Sequence, residues 1–436
     1  MHSQRHNPRH DPRRLRRSRR GTAYLAAVGV GMLVATLSLG AMATARSRAR
    51  ALQLRIDETI ARQNAIAAVD FARCTIAADP DWRTTYATEM WLNGIEMNGG
   101  TFGYAVVNPS GAINRDPLDS VVVTGDGAKG LARQRMSVYL DASKVPLTCL
   151  NVPMAIAGAI TASSATINGS GLTITTNNGF TSVLATIRPN VEARTTIVGT
   201  GFSGTTSTGA KPRTLPDSSV FSLYTSTAAA IPVSSLPSGG LLGLGAKQLT
   251  EIVLSPSSNP YGAINSDGIY VLDCQNYAVA ISDCRIVGTL ILLNPGSGTT
   301  ISDSVHWTPA RSNFPCLLVS GNITLSLSSS SLSENSENVN FNPPGTPHPF
   351  SSGAADTDQS DSYPSVIDGM IYASGNVSIS GSNTIDMIIA GGSLTMNVFS
   401  SLTLRDEPAY AADPPPGFYT VKMSPRPGSW AYVVDP

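Results

Sequence analysis

The stretch RRGTAYLAAVGVGMLVATLSLGAMATARSRARA, Arg19 to Ala51, decides how the rest of the chain is read. Its centre, Gly21 to Ala45, is 25 residues without a charge. At ~1.5 Å per residue, about 20 residues cross the hydrocarbon core of a bilayer, so the run is long enough to span one. Gly29, Gly31 and Gly40 dilute its hydrophobicity, and helices in lipid associate through small residues of this kind. Three fates compete. A removed secretory signal would have a shorter apolar core, with ATA at 43–45 as a small-residue cleavage site. Ser18-Arg19-Arg20 hints at a twin-arginine signal, but no bulky apolar residue follows at once. The third fate is a permanent helix.

The residues that follow favour the third. RSRARALQLRIDETIARQNAIAAVDFARCTIAA, 46–78, contains neither Pro nor Gly. Leu52, Ile56, Ile60, Ala67 and Phe71 recur roughly at helical spacing with charges between them. Asp79-Pro80 ends the pattern. One helix is therefore expected from about Thr22 to Ala78, apolar in its first half and amphipathic in its second. Cutting at Ala45 would orphan the second half.

Charge gives the orientation. Residues 1–20 carry eight Arg, among them Arg13, Arg14, Arg16, Arg17, Arg19 and Arg20, against one Asp, and five more Arg lie in 46–62. Outside these segments 17 basic face 27 acidic residues, a net of −10. The positive-inside rule places the N-terminus in the cytoplasm and the body outside the inner membrane, as a single-pass protein. A basic tip on an acidic body does not suit a nucleic-acid binder, so lipid and no nucleic acid is the expected partner.

A basic leader ending Arg19-Arg20-Gly21, an uninterrupted apolar helix and an amphipathic continuation ending AIAAVDFAR resemble the type IV pilin class, and within it PilX-type minor pilins and pseudopilins. That resemblance implies processing between Gly21 and Thr22, and assembly with other pilin-like subunits and their machinery in a type IV pilus or type II secretion apparatus. Most pilins carry a carboxylate at the fifth mature position. Here that position is Ala26, and no acid occurs between Asp11 and Asp57. The departure suits a minor or tip subunit, or a helix that is never cleaved.

The body reads as β structure. Only 14% of residues are charged and 6% aromatic, with 39 Gly and 29 Pro, a composition of short strands and turns. TFGYAVV at 101–107, SVVVTG at 120–125 and RMSVYLDA at 135–142, separated by NPSG and GDG, read as a small β domain over 80–148. Beyond it the sequence repeats. AISDCRIV at 280–287 is echoed by TISDSVHW at 300–307, VSGNITLS at 319–326 by ASGNVSIS at 373–380, and SDGIYVLD at 266–273 by IDGMIYAS at 367–374. A step of about 20 residues matches one coil of a parallel β-helix. The expected architecture is therefore mainly β: a basic leader (1–20), a transmembrane helix (21–45), its amphipathic extension (46–79), the small β domain, and a right-handed parallel β-helix over 149–436. A β-sandwich is the alternative. The polar stretch 333–364 reads as an excursion from one coil, and Trp430, Tyr432 and Val433 as a cap on the solenoid. NPYGAINSDGIYVLDC, CRIVGTLILLNPGSG, NFNPPGTP and the closing PPPGF…PGSW resemble pilin-like envelope proteins of planctomycete-type bacteria with large β-helical domains. This implies architecture, not a reaction.

No catalytic, cofactor or metal motif stands out: GxSxG, HExxH, Walker A and Cys/His zinc spacing are absent. His2, His6 and His10 are spaced for one helix face, but Pro8 and Pro12 break it. Asp267, Asp273, Asp283 and Asp303 could line a β-helix face as acids do in polysaccharide-cleaving β-helices, or simply occupy turns. Arg285 and Arg311 are candidates for contacting an anionic glycan from the surface. Of five cysteines, Cys274 and Cys284 lie ten residues apart and either bridge or remain buried thiols. The expected function is non-enzymatic, with a glycan-binding envelope anchor and a β-helical polysaccharide lyase or hydrolase as alternatives.

Overall fold

The computed structural model describes residues 15–86, 89–240, 245–346, 355–405 and 409–433. The chain forms two compact units: one up to Ser143 and again from Val421, the other Lys144–Thr420.

The first unit is a helix on an antiparallel sheet. Helix α1 runs Leu15–Ala78, 64 residues and ~96 Å long. It ends where Asp79-Pro80 requires and begins seven residues before the expected Thr22, within the Arg-rich leader. Strands β1 (Glu89–Met97), β2 (Gly100–Val107), β3 (Val121–Lys129) and β4 (Ala132–Pro146) pair in order. Two strands from the far end of the chain complete this sheet: Tyr419–Pro425, next to β4, and Ala431–Tyr432, which pair with Ser137 and Met136. Trp430, Tyr432 and Val433 therefore do not cap the solenoid. Their alternating pattern suits any sheet edge, and nothing local in it specifies a partner almost 300 residues earlier.

The core of this unit is built from small residues. Ala61, Asn64, Ala65, Ala68, Val69, Ala72 and Ile76 are buried at three- and four-residue steps and face Phe102, Tyr104, Val121, Val123 and Val138. Leu52 and Ile56, of the apolar residues that recur at helical spacing, are exposed, and Phe71 is half exposed. GDG at 125–127 is no turn. It lies inside β3, where Gly125 and Gly127 let the helix approach so closely that a β-carbon on either would overlap helix backbone.

The second unit is the parallel β-helix. The echoed segments stack in register, Ala280 on Thr300 and Ile281 on Ile301, then Ile323 on Val377 and Leu325 on Ile379. The core is a continuous column of inward Ile, Leu, Val and Met, including Ile301, Leu325, Ile379 and Ile388. Three sheet faces surround it. The chain enters in the middle at Met154 and winds to Thr208 at one end. It crosses back along the solenoid through the helix Ser219–Thr225 and restarts at Ala229 at the opposite end. It then winds inward until 388–404 stack on 154–168. The first and last coils are thus neighbours, the connectivity an inserted domain requires.

The crossing segment explains the unbroken apolar runs TLILL (289–293) and MIIA (387–390). Leu290, Leu292 and Ile388 point into the solenoid. Ile291, Met387, Ile389 and Tyr372 point outward and are covered by Val220, Phe221 and Tyr224. A parallel sheet buried on both faces loses the polar alternation.

Candidate functional site

Two features of the first unit stand out from an ordinary packed core. Every residue of α1 from Gly21 to Ile56 is exposed, including Leu25, Val30, Met32, Leu33, Leu37, Leu39 and Met42. Mean hydropathy reaches 2.0 over an 18-residue window, enough to cross a membrane by length and composition. From Ala61 the same helix is packed on the sheet. One half thus leaves its apolar surface exposed while the other half is packed on a folded body. Gly21 and Thr22 lie in the exposed half, as does Ala26. Arg16, Arg17, Arg19 and Arg20 belong to the helix; Arg13 and Arg14 lie outside the described residues.

Where the helix meets the sheet, Asn64 is fully buried among alanines. Its Nδ2 donates to the Met97 carbonyl at 3.3 Å and reaches the Ala128 carbonyl at 3.5 Å, while Oδ1 has no partner.

In the solenoid, the residues singled out as chemical candidates are dispersed. Asp267 pairs with Arg311 at 2.6 Å. Asp273 accepts from the Gln275 amide and from Asn294 Nδ2. Asp283 and Asp303 occupy one corner with left-handed backbone, φ 48° and 58°, and burial together with Asp303 pushes the Asp283 carboxyl up. Among the described residues no group of three or more His, Cys, Asp or Glu is placed to hold a metal.

Arg285 is not a surface arginine. It is 1% exposed, donates to the Phe341 carbonyl at 2.9 Å and lies over the Tyr363 ring at 5.2 Å. Burial lowers its pKa, against Tyr363, Glu334 and Asp361, which favour the charged form. Glu334, also fully buried, accepts from the Phe341 and Asp361 amides and the Tyr363 hydroxyl. This network anchors the excursion, whose base is the antiparallel pair Leu332–Ser333 with Ser362–Tyr363. His306 stacks beside Tyr363, and its Nδ1 donates to the Pro364 carbonyl at 3.0 Å. Burial lowers its pKa to about 4. Sequence reading missed the cluster because its members lie on four separated segments; the one available signal was an Arg within the otherwise apolar run CRIV.

Cys274 and Cys284 are separate buried thiols, and no disulfide joins any of the five cysteines. Successive segments of one coil lie on different faces of the solenoid. Cys284 accordingly stacks against Val305 of the next coil rather than against Cys274.

No protein-family model and no curated protein sequence matches the chain. Among solved structures, the chain is similar to the competence-associated pilin ComZ from Thermus thermophilus, at 10% identity over 86% of this chain and 98% of that one, with a TM-score of 0.29. A superposition that loose bears on neither fold nor function.

Proposed function

We propose that the protein is a non-enzymatic, pilin-like subunit, of minor-pilin or pseudopilin type, that carries its β-helix outside the cell. Arg5 to Arg20 remain on the cytoplasmic side of the inner membrane, and a prepilin peptidase removes the leader after Gly21. The exposed half of α1 then packs against equivalent helices in a type IV pilus or a type II secretion apparatus. The observation that carries this reading is the two-part helix: Gly21–Ile56 fully exposed, and Ala61 to Ile76 buried on an antiparallel sheet. The insertion of the whole solenoid between β4 and Tyr419–Pro425 also supports it, because a domain inserted in a sheet can be displayed without disturbing the helix.

Ala26 sets the subunit's place. A carboxylate within the span would need a partner in lipid; an alanine asks for none. A subunit of this kind suits a position where no neighbour offers that partner, such as the end of a filament. Edman or mass-spectrometric determination of the N-terminus in native membranes tests the reading, with Thr22 as the expected first residue.

A further inference from the structure

One of the three sheet faces of the solenoid carries a row of hydroxyls in strict register. Thr300 stacks on Thr324, Thr324 on Ser378, Ser378 on Thr395, Thr395 on Thr161, and Thr161 on Thr181. At ~4.8 Å per strand the row is ~24 Å long. The intervening residues Ile323, Val377, Leu394, Ile160 and Phe180 point into the core, so the hydroxyls point out. Among the described residues, Thr161, Thr181, Thr300, Thr324 and Thr395 make no side-chain hydrogen bond to the protein, whereas Thr176, Ser182, Thr289 and Thr299 each donate to a backbone carbonyl.

The middle of the face is also concave and uncharged, while its corner at the Thr300 end carries Glu251, Asp283 and Asp303. A groove of about 530 Å³ runs over Thr324, Ser378 and Thr395 and is bordered by Gly296–Thr299, Asn322 and Asn376. The segments 151–187, 317–333, 371–385 and 387–404, which supply five coils with their flanking turns, contain no Asp, Glu, Lys, Arg or His. One corner of the same face holds two apolar side chains out in solvent. Phe399 is 91% exposed at φ 61°, and Leu184 is 81% exposed at φ 53°. Glycine is the residue that takes this backbone conformation without strain, and Gly381 does so one coil away. The same left-handed corner recurs at Asp283, Asp303 and Ser164, so what sets Phe399 and Leu184 apart is the apolar side chain held in solvent, not the backbone.

We infer that this face binds an uncharged polysaccharide, lying along the hydroxyl row with a sugar ring against Phe399. Its lack of charge disfavours acidic polymers and nucleic acid, whose binding rests on basic side chains. Its unpartnered hydroxyls match the alcohols of a sugar chain, and its exposed aromatic ring matches the apolar face of a pyranose.

The test uses the full chain in detergent micelles, immobilised, with cellohexaose, chitohexaose, maltohexaose and mannohexaose as uncharged probes and oligogalacturonate and single-stranded DNA as charged ones. Binding of at least one uncharged probe is expected, little changed between 50 mM and 500 mM salt. The double variant Thr324→Val, Thr395→Val should weaken it tenfold or more. Phe399→Gly should also weaken it while raising Tm, an outcome a merely structural Phe399 would not give. No binding of any uncharged probe, preference for a charged one, or unchanged affinity in both variants overturns the inference. None of these results depends on the N-terminus, so the filament reading stands or falls separately.

Discussion

Gly127 of β3 lies directly against Ala61 of α1: a β-carbon at 127 would overlap the Ala61 carbonyl oxygen and the Ala65 amide nitrogen. The helix sits on this sheet at backbone-to-backbone distance, and the alanines that face it are small for the same reason. Replacing Gly127 by Ala forces helix and sheet apart. We predict a loss of about 1–3 kcal/mol or more, read as a lower urea midpoint for the first unit. Leu54→Ala, on the exposed part of the helix, should leave that midpoint unchanged.

That contact also shows where the sequence misleads. Apolar periodicity gives the helix and its end at Ala78, but the packed face is mostly alanine and carries little hydrophobic signal. Leu52 and Ile56 belong to the apolar stripe of the amphipathic half and yet are exposed. GDG looked like a turn because glycines usually punctuate, whereas here they admit a helix. The solenoid was legible because its coils repeat; stacked strands need the same inward residues at the same step. Its winding order, entering at Met154 and closing 388–404 onto 154–168, leaves no mark in any one coil. Neither does the return of Ala431–Tyr432 to β4.

Glu334 and Arg285, both buried, pin the excursion from two sides of Tyr363 and Phe341. Glu334→Leu removes a buried carboxylate that, with Tyr363 and Asp361, favours the charged Arg285 guanidinium, and strips the Phe341 and Asp361 amides of an acceptor. A cost of about 3–5 kcal/mol is expected, together with rapid proteolysis within 334–364. The double variant Glu334→Leu, Arg285→Met should recover part of it.

His306 makes the same region acid-sensitive. Its pKa falls from 6.5 unfolded to about 4 folded because burial disfavours the imidazolium. The unfolded chain therefore binds the extra proton between these values, so stability is complete above pH 6.5 and declines as pH falls toward 4. The decline from this one group amounts to about 3 kcal/mol. His306→Gln should flatten the melting temperature across that window.

The thiols should divide one against four. Cys74 is exposed, while Cys149, Cys274, Cys284 and Cys316 are buried. Burial pushes Cys149 and Cys274 up to about 12 and so keeps them protonated and unreactive. Iodoacetamide on the native chain should add a single group, at Cys74. Five should add after denaturation without reductant, whereas a Cys274–Cys284 bridge would limit that number to three.

The central claim is that the exposed half of α1 persists in the mature protein as an assembly helix. Mass spectrometry of the N-terminal peptide from native envelopes tests it most directly. A mature chain beginning at Thr22 is the predicted result. A chain beginning at Arg46 would contradict it, because the whole apolar half would have been removed.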